Sequence, residues 1–208
     1  MDDRNFVKVF QKAVREHERF NEKWVLKDVP PRIALEALRS SEVRLWSVPR
    51  TTGELLKFLV VAMGSKTVLE LGTSGGYSTM WLAWGVKITG GHVYTIEILK
   101  PKIKIAQRFF QKSHLSPYIT QIQGDINQVL ANWKKPVDFV FLDANKGEYL
   151  AHTKKVLPFL QSGGILIADN AGNLAKHMRD FFDFVRMRRE LMSHFLDADN
   201  GLLLAIKL

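Results

Sequence analysis

The feature that most constrains this chain is the stretch from Val68 to Ala83, which reads VLELGTSGGYSTMWLA. A short run of leucine and β-branched residues ends in an acid, small residues then turn the chain, and an apolar segment follows. The pattern predicts a strand, a glycine loop and a helix in succession, which is typical of nucleotide-type cofactor sites. Glycine in such a loop tolerates positive φ and lets a ligand lie against bare backbone.

The spacing of the loop glycines narrows the choice of cofactor. Gly72, Gly75 and Gly76 do not follow the G-x-G-x-x-G pattern, so the dinucleotide fingerprint is absent. An S-adenosylmethionine site fits better, because an acid such as Glu70 would attract the cationic sulfonium and the amino-acid end of that cofactor.

Length and composition set wider bounds. The 208 residues suffice for one α/β domain, which we divide into an N-terminal helical segment, residues 1–47, and a core, residues 48–208. The segment could form a lid or a dimer contact, or simply pack on the sheet. The chain has no cysteine, no signal-peptide pattern and no apolar run of about 18 residues. We therefore expect a cytoplasmic protein without membrane spans, disulfides or cysteine-ligated zinc.

The formal net charge of +9 raises the question of a polyanionic partner. The excess is spread along the chain rather than concentrated in a tail, although basic residues cluster on two predicted helices, one from Lys100 and one around Arg188. Solvated helix faces are the simpler interpretation of these clusters, and binding of tRNA remains the alternative.

Apolar runs and helical periodicities alternate along the chain. After the first strand, the predicted strands are His92–Ile96, Ile119–Ile122, Val137–Leu142 and Ile165–Ala168. The predicted helices are residues 3–27 as one helix or a pair, Ile33–Leu45, a helix running to Met63, Lys100–Ser113, Ile126–Asn132, Glu148–Leu160 and Leu174–Glu190. Asn200-Gly201 between two apolar runs predicts a terminal hairpin. We therefore expect an α/β, Rossmann-like sheet of seven strands, five parallel plus an antiparallel hairpin, with helices on both faces.

An acid stands at the end of every predicted parallel strand; the five are Glu70, Glu97, Asp125, Asp143 and Asp169. Ligands of open parallel sheets bind beyond the carboxyl ends of the strands, so one shared polar site is the economical explanation. Glu97 follows the first loop glycine by 25 positions, where an acid suits the two ribose hydroxyls. Asp125 suits the exocyclic amine of adenine, or it caps the helix that begins at Ile126.

Three oxygen-bearing side chains follow two neighbouring apolar strands: Asp143, Asp169 and Asn170. Carboxylate and amide oxygens without histidine or cysteine suit a hard cation such as Mg²⁺ rather than zinc. The alternative is that Asp143 only caps a helix and that Asp169-Asn170 is a polar turn. Taken alone, the nearby Lys146 would be a surface lysine.

These same motifs carry a resemblance. From about Val48 to Leu208 the chain resembles the cation-dependent O-methyltransferases related to catechol and caffeoyl-coenzyme A O-methyltransferases. VLELGTSGGYSTMWLA is similar to the first motif of that family, VDFVFLDANKGEYL to its strand-four motif and GGILIADN to its strand-five motif. Many methyltransferases share the first motif, but few add D-x-x-K-x-x-Y and a later D-N.

The resemblance implies roles position by position. It assigns the methionine part of the cofactor to Val48, Glu70, Gly72, Thr73, Tyr77 and Ser78, the ribose to Glu97, and the adenine side to Asp125 with Ile126. It assigns the metal to Asp143, Asp169 and Asn170, with Asp143 also facing the amino group of the cofactor. Lys146 matches the catalytic lysine, which implies that it takes the proton of an acceptor hydroxyl before the oxygen attacks the sulfonium methyl in line.

Departures from the family pattern concern the acceptor. The family usually continues after the D-N pair with bulky residues and glycine, whereas this chain has Ala171-Gly-Asn-Leu174. Leu203 stands where animal catechol enzymes carry an acid, and Asn145 stands where plant coenzyme A enzymes have aspartate. A small phenolic or catechol-like hydroxyl is the leading acceptor. A hydroxylated tRNA uridine, or cofactor binding without catalysis, remains an alternative.

Overall fold

The computed structural model describes residues 3–22 and 45–208 of the chain. The helices are α1 (Asp3–Glu22), α2 (Arg50–Ala62), α3 (Tyr77–Thr89), α4 (Lys100–Lys112), α5 (Ile126–Ala131), α6 (Tyr149–Val156) and α7 (Arg179–Met187). The strands are β1 (Thr67–Leu71), β2 (His92–Glu97), β3 (Ile119–Gln123), β4 (Val137–Leu142), β5 (Leu160–Ala168), β6 (Leu191–Leu196) and β7 (Leu202–Lys207). Within these ranges, no helix combines the length and the apolarity that crossing a membrane requires.

The strands form one seven-stranded sheet in the order β3-β2-β1-β4-β5-β7-β6. β1 to β5 are parallel to one another, whereas β7 is antiparallel to both β5 and β6. β7 therefore lies between two strands that precede it in the chain. The prediction of a Rossmann-like α/β sheet with five parallel strands and a C-terminal antiparallel hairpin is confirmed.

Apolar residues cover both faces of the sheet, because successive side chains of a strand point to opposite sides. Along β4, Phe139 and Phe141 pack with α1 to α4, while Val140 and Leu142 pack with α5 to α7. This double burial explains why β4 is an unbroken apolar run rather than an alternating one.

Helix α1 confirms the amphipathic spacing near the start of the chain. Phe6, Phe10 and Val14 are buried on one face, and the ring of Phe10 contacts Trp81 and Trp84 of α3. The predicted break at Pro30-Pro31 and nearly all of the predicted helix Ile33–Leu45 lie outside the described residues. The lid and dimer roles of residues 1–47 stay predictions.

Two predicted helices are wrong in their extent. In place of Glu148–Leu160, a 3₁₀ turn (Lys146–Glu148) leads into α6, and β5 already begins at Leu160. The pairing of β4 with β5 shifts register between Val137 and Phe139, so the two glycines at 163–164 lie within an irregular strand instead of preceding it.

In place of Leu174–Glu190, a 3₁₀ turn (Ala175–His177) precedes α7. Met178 between them is fully buried and has φ −128° and ψ 22°, which is not helical. Its apolar side chain fits the helical periodicity of the sequence, although the backbone there interrupts the helix. The helix predicted to end at Met63, the helices Lys100–Ser113 and Ile126–Asn132, and strands β2 to β4 end within one residue of their predicted positions. Helix α3 continues to Thr89, beyond the stretch that ends at Ala83, and the predicted end of the first helix at residue 27 lies outside the described residues.

Candidate functional site

The candidate site lies at the carboxyl edge of the parallel sheet. The backbone N–H of Asp143 donates to the carbonyl of Leu71 at 3.0 Å, and that of Asp169 donates to Leu142 at 3.0 Å. These hydrogen bonds continue the strand pairing by one residue. The ends of β1, β4 and β5, and the acids that follow two of them, therefore lie side by side as the sequence predicts.

The glycine loop after β1 contacts the backbone of Asp143 directly. Gly72 has φ +106°, and a Cβ atom at this position would lie 2.4 Å from the Asp143 carbonyl oxygen. Only glycine combines this φ with this approach. Ser74 and Gly76 also have positive φ, 47° and 82°, and the N–H of Gly76 donates to the Thr73 carbonyl at 2.8 Å. The loop is thus a tight turn that leads into α3.

Glu70 is fully buried beneath this loop. Its carboxylate accepts hydrogen bonds from the hydroxyls of Ser78 at 2.5 Å, Thr95 at 2.6 Å and Thr79. The Thr73 hydroxyl lies 2.6 Å from that of Thr95 and extends the network. Burial raises the pKa of Glu70 to about 7, although the three hydroxyls act in the opposite direction. Both carboxylate oxygens are therefore engaged within the protein.

The next two acids are held by backbone amides. The carboxylate of Glu97 accepts from the N–H of Ser74 and from that of Leu99, each at 2.9 Å. Asp125 accepts from the N–H of Gln128 at 3.1 Å and caps α5. Helix capping, the alternative considered for Asp125, is thus present, and its role toward adenine stays a prediction.

Three more predicted cofactor residues lie on two sides of the loop. Val48 and Tyr77 line a cavity of about 260 Å³ against α1, and the Tyr77 hydroxyl donates to Glu18 at 2.6 Å. Ile126 is the first residue of α5, next to Asp125. These three predicted cofactor residues therefore come from the segment before α2 and from the starts of α3 and α5.

Lys146 is half-buried, unlike the surface lysine that the sequence alone suggests. Its Nζ atom lies 2.6 Å from a carboxylate oxygen of Asp143 and 2.9 Å from the hydroxyl oxygen of Tyr149. Tyr149 is fully buried, and its hydroxyl donates to the carbonyl of Leu142 at 2.8 Å. Burial, followed by the charges of Asp143 and Asp169, raises the pKa of Tyr149 well above its ordinary value, so the phenol stays protonated.

Asp169 is 4% exposed, and one of its carboxylate oxygens is buried without a hydrogen-bond partner in the described part of the chain. Burial and then the charge of Asp143 raise the pKa of Asp169 to about 7. Burial also raises the pKa of Asp143, against the opposing charge of Lys146. A buried carboxylate oxygen without a partner is unfavourable unless a proton or a cation satisfies it.

The donor atoms fit a hard cation. Asn170, at φ 60°, follows Asp169 directly and donates an amide hydrogen to Asn173 at 3.2 Å, so its amide oxygen is not used in that hydrogen bond. Among residues 3–22 and 45–208 there is no group of three or more His, Cys, Asp or Glu side chains that could hold a metal. A cation here would depend on the set of Asp143, Asp169 and Asn170, which counts only two acids.

The turn between β6 and β7 supports the segment after Asn170. The N–H of Ala171 donates to the carbonyl of Gly201 at 2.8 Å, and that of Gly172 donates to Asn200 at 2.9 Å. A Cβ atom on Gly172 would lie 2.9 Å from the Asn200 carbonyl oxygen. The small residues that follow the D-N pair in this chain therefore match a turn that packs directly against them.

The same turn also reaches α2. The carboxylate of Asp199 accepts from the hydroxyl of Thr51 at 2.6 Å and from that of Thr52. Thr51 and Thr52 lie in the first turn of α2, directly after the segment that contains Val48. One turn thus links the start of α2 to the side of the site formed by Asp143, Asp169 and Asn170, which we call the acid edge.

Several side chains at the site were missed from the sequence. Thr95 could have been found, because it is the strand partner of Glu70 once β1 and β2 are paired in parallel. Tyr149 belongs to the quoted D-x-x-K-x-x-Y motif, and its spacing of three from Lys146 places both on one side of a helical turn. His17, which contacts Gly75, lies 58 residues away from it, and no local pattern predicts that contact.

The sequence matches the family model described as O-methyltransferase over residues 26–191, which is more than half of the chain. The chain belongs to the O-methyltransferase family. It is 31% identical over 163 residues to a catechol O-methyltransferase of Mycobacterium tuberculosis, covering 76% of this chain and 73% of that protein. It is 32% identical over 158 residues to a caffeoyl-CoA O-methyltransferase of Populus kitakamiensis, covering 72% and 67%.

Solved structures of O-methyltransferases share the fold. The enzyme of Bacillus cereus in complex with SAH superposes with a TM-score of 0.72 at 24% identity, covering 96% of this chain and 100% of that one. TomG of Streptomyces achromogenes in complex with SAM has a TM-score of 0.72 at 20% identity, covering 100% and 90%. The prediction of an O-methyltransferase is confirmed at the level of family and fold.

Proposed function

We propose that this chain transfers the methyl group of S-adenosylmethionine to a hydroxyl of a small phenolic or catechol-like acceptor, with a divalent cation at the acid edge. The observation that carries the proposal is the position of Lys146 between Asp143 and Tyr149, together with the buried carboxylate oxygen of Asp169, which lacks a partner among the described residues and belongs to a group that feels the charge of Lys146. Family membership supports methyl transfer to oxygen. The M. tuberculosis and Populus relatives support a phenolic acceptor by their names.

The backbone hydrogen bonds to Glu97 support its proposed role in binding the ribose of the cofactor. Two N–H donors orient its carboxylate, and each oxygen retains lone-pair capacity for a ribose hydroxyl. We assign the adenine amine to the oxygen of Asp125 that does not cap α5, with Ile126 beside the ring.

We assign the methionine end to the residues around the glycine loop, namely Val48, Gly72, Thr73, Tyr77 and Ser78, with Glu70 beneath them. Because the Ser78 hydroxyl donates its hydrogen bond to Glu70, it can interact with the cofactor only as a hydrogen-bond acceptor. Lone pairs accept hydrogen bonds from an ammonium group. Glu70 would thus act on the amino group of the cofactor largely through the hydroxyls that it orients.

At the acid edge, Asp143, Asp169 and Asn170 would hold the cation, whose charge would stabilise an ionised acceptor oxygen. Tyr149 presents its oxygen lone pair to Lys146 because its own hydrogen is donated to Leu142. Lys146 is fixed by these two hydrogen bonds, and in its amine form it would keep one lone pair, which would take the proton of the acceptor hydroxyl and become the third N–H of an ammonium. The remaining contribution of the site is to align the acceptor oxygen with the methyl group.

The test is a comparison of Lys146→Ala with the wild-type chain on a panel of vicinal diols, with Mg²⁺ and with a chelator. A lost general base lowers turnover by about 10²-fold or more, while the affinity for S-adenosylhomocysteine changes by less than about threefold. Lys104→Ala, on the exposed side of α4, is the matched control and retains wild-type turnover.

The outcomes separate the parts of the proposal. Equal loss of turnover and cofactor affinity in Lys146→Ala would argue against a base role. Full activity in the chelator would remove the cation from the proposal. Methylation of tRNA but of no small diol, with steep salt dependence, would replace the acceptor. No methyl transfer to any acceptor would leave a binding protein.

A further inference from the structure

Helix α1 contacts the glycine loop through the buried side chain of His17. The Nε2 atom of His17 lies 2.9 Å from the carbonyl oxygen of Gly75, and His17 is 0% exposed. Its ring packs against Phe109 and Tyr77, with centroid distances of 4.5 and 5.2 Å. A Cβ atom on Gly75 would lie 2.8 Å from Nε2, so glycine is what permits this approach.

The chemistry of this contact fixes the state of the ring. A carbonyl oxygen only accepts, so Nε2 carries the hydrogen and donates it. Burial lowers the pKa of His17 to about 4, which leaves the ring neutral near pH 7. Nδ1 is then an acceptor, and it is buried without a partner in the described part of the chain. Phenylalanine or leucine would avoid that penalty, so the N–H donor is what distinguishes histidine here.

The hydrogen bond completes the fixation of one peptide group. In the Gly75–Gly76 peptide, the carbonyl accepts from His17 and the N–H donates to Thr73 at 2.8 Å. Ser74 and Gly76 on either side have positive φ, and glycine allows such a peptide to rotate with little steric hindrance. Two hydrogen bonds, one at each edge of this peptide group, therefore select one orientation of the turn.

That orientation reaches the proposed ribose acid. The N–H of Ser74, one residue earlier in the turn, donates to Glu97 at 2.9 Å. The Ser74 hydroxyl accepts from the N–H of Trp46 at 3.1 Å. The turn thus joins α1, the segment before α2 and the carboxylate at the end of β2. A rotation of the turn would displace the backbone donor that orients Glu97.

We propose that His17 is a positioning residue, which holds the glycine loop in its cofactor-binding conformation by donating to the Gly75 carbonyl. The inference rests on the proposed function, because it concerns affinity for the same cofactor. His17 acts through the loop and touches no reacting atom. Loss of its N–H loosens the turn, so that part of the binding free energy is spent on ordering it.

The test measures the dissociation constant for S-adenosylhomocysteine by calorimetry and the melting temperature of each variant. His17→Phe keeps an aromatic ring and removes the donor, and we expect it to weaken binding about fivefold to tenfold. His17→Gln keeps an amide N–H of similar reach and stays within about twofold of the wild type. Val14→Ala, on the buried face of α1 one turn earlier, lowers the melting temperature without changing affinity.

The result that overturns the inference is equal weakening in Val14→Ala and His17→Phe, because affinity would then follow stability alone. Wild-type affinity in His17→Phe, or equal loss in His17→Gln and His17→Phe, overturns it as well. His17→Leu is a second donor-free variant and has the same expectation should the bulkier ring of phenylalanine prevent folding. Absence of binding by the wild-type chain overturns the proposed function, and the inference with it.

Discussion

At the scale of single residues, Glu70 is where burial and charge oppose each other most clearly. Its carboxyl is fully buried, and its three hydroxyl donors compensate only part of the lost hydration. The pKa of the folded state, about 7, therefore lies above the ordinary value of 4.5. A raised pKa of this kind makes the folded state bind a proton that the unfolded state has released.

The predicted consequence is a pH dependence of stability. The contribution of Glu70 is fully present below about pH 4.5 and is lost as the pH rises to about 7, by about 3 kcal/mol in total and by about 2 kcal/mol between pH 5 and pH 7.5. Urea unfolding at pH 5 and pH 7.5, without ligands, measures it as the difference between the wild type and Glu70→Gln. The decrease in the free energy of unfolding from pH 5 to pH 7.5 should be smaller in Glu70→Gln than in the wild type by about 2 kcal/mol.

Asp183→Asn, at an exposed position of α7, is the control and should keep the wild-type pH dependence. The same decrease in Glu70→Gln as in the wild type would mean that Glu70 is ionised in the folded chain across the whole range. Its three hydroxyl donors would then fully offset its burial.

Glu70 also shows how far single residues could be predicted from the sequence. Its position near a strand end follows from the short run of leucine and β-branched residues around it and from the glycine loop that comes next. Its partners come from β2 and α3, and only the register of Glu70 with Thr95 brings one of them into place. The acids at the carboxyl edge of the sheet were predictable because the ends of parallel strands lie at the same edge. The hydrogen-bond partners of each acid were not, because they depend on strand pairings that the sequence does not state.

At the scale of elements, the turn between β6 and β7 connects two regions that are distant in sequence. The carboxylate of Asp199 accepts hydrogen bonds from two hydroxyls at the start of α2. The carbonyls of Asn200 and Gly201 accept hydrogen bonds from backbone N–H groups of the segment after Asn170. The Asn-Gly pair predicted a hairpin, and a hairpin is present. The docking partners of its turn were not predictable, since they lie about 150 and 30 residues away along the chain.

Thr52→Val should lower the free energy of unfolding by about 1 kcal/mol, because it leaves Asp199 with one hydroxyl donor fewer at nearly constant volume. Asp199→Asn should cost a similar amount, and the double variant should cost less than the sum of the two. Urea unfolding of the four chains measures the coupling. Asp197→Asn, in the same turn, is the control and should change stability by less than about 0.5 kcal/mol. Additive losses would contradict a direct hydrogen bond.

Element boundaries were predictable where burial on one face fixed the periodicity. They failed at two places, residues 157–164 and residues 174–178, where apolar side chains continue although the backbone is not helical. Buried residues in turns keep the apolar pattern of the neighbouring helix. Hydrophobic periodicity indicates which side chains are buried. It indicates the conformation of the backbone between them only indirectly.

At the scale of the whole molecule, the candidate site depends on the assembled sheet. Its residues come from the ends of β1 to β5 and from the starts of α3 and α5, so the unfolded chain offers no site. S-adenosylhomocysteine at 100 times its dissociation constant should therefore raise the free energy of unfolding by about 2.7 kcal/mol.

Urea unfolding followed by tryptophan fluorescence measures this increase. The slope against denaturant should stay constant, because the ligand changes the stability rather than the surface that unfolding exposes. Adenosine, which lacks the amino-acid end, is the control ligand and should stabilise less at the same concentration. Equal stabilisation by both would contradict the methionine role assigned to the glycine loop.

The position of β7 between β5 and β6 bears on the order of assembly during synthesis. The place beside β5 stays open until β7 emerges from the ribosome, and β6 gains its partner in the described sheet from the same event. The turn before β7 then reaches the segment after Asn170. A chain in which β7 has not yet joined the sheet would thus carry the glycine loop but an unsupported acid edge, so the acid edge is completed only when β7 joins the sheet.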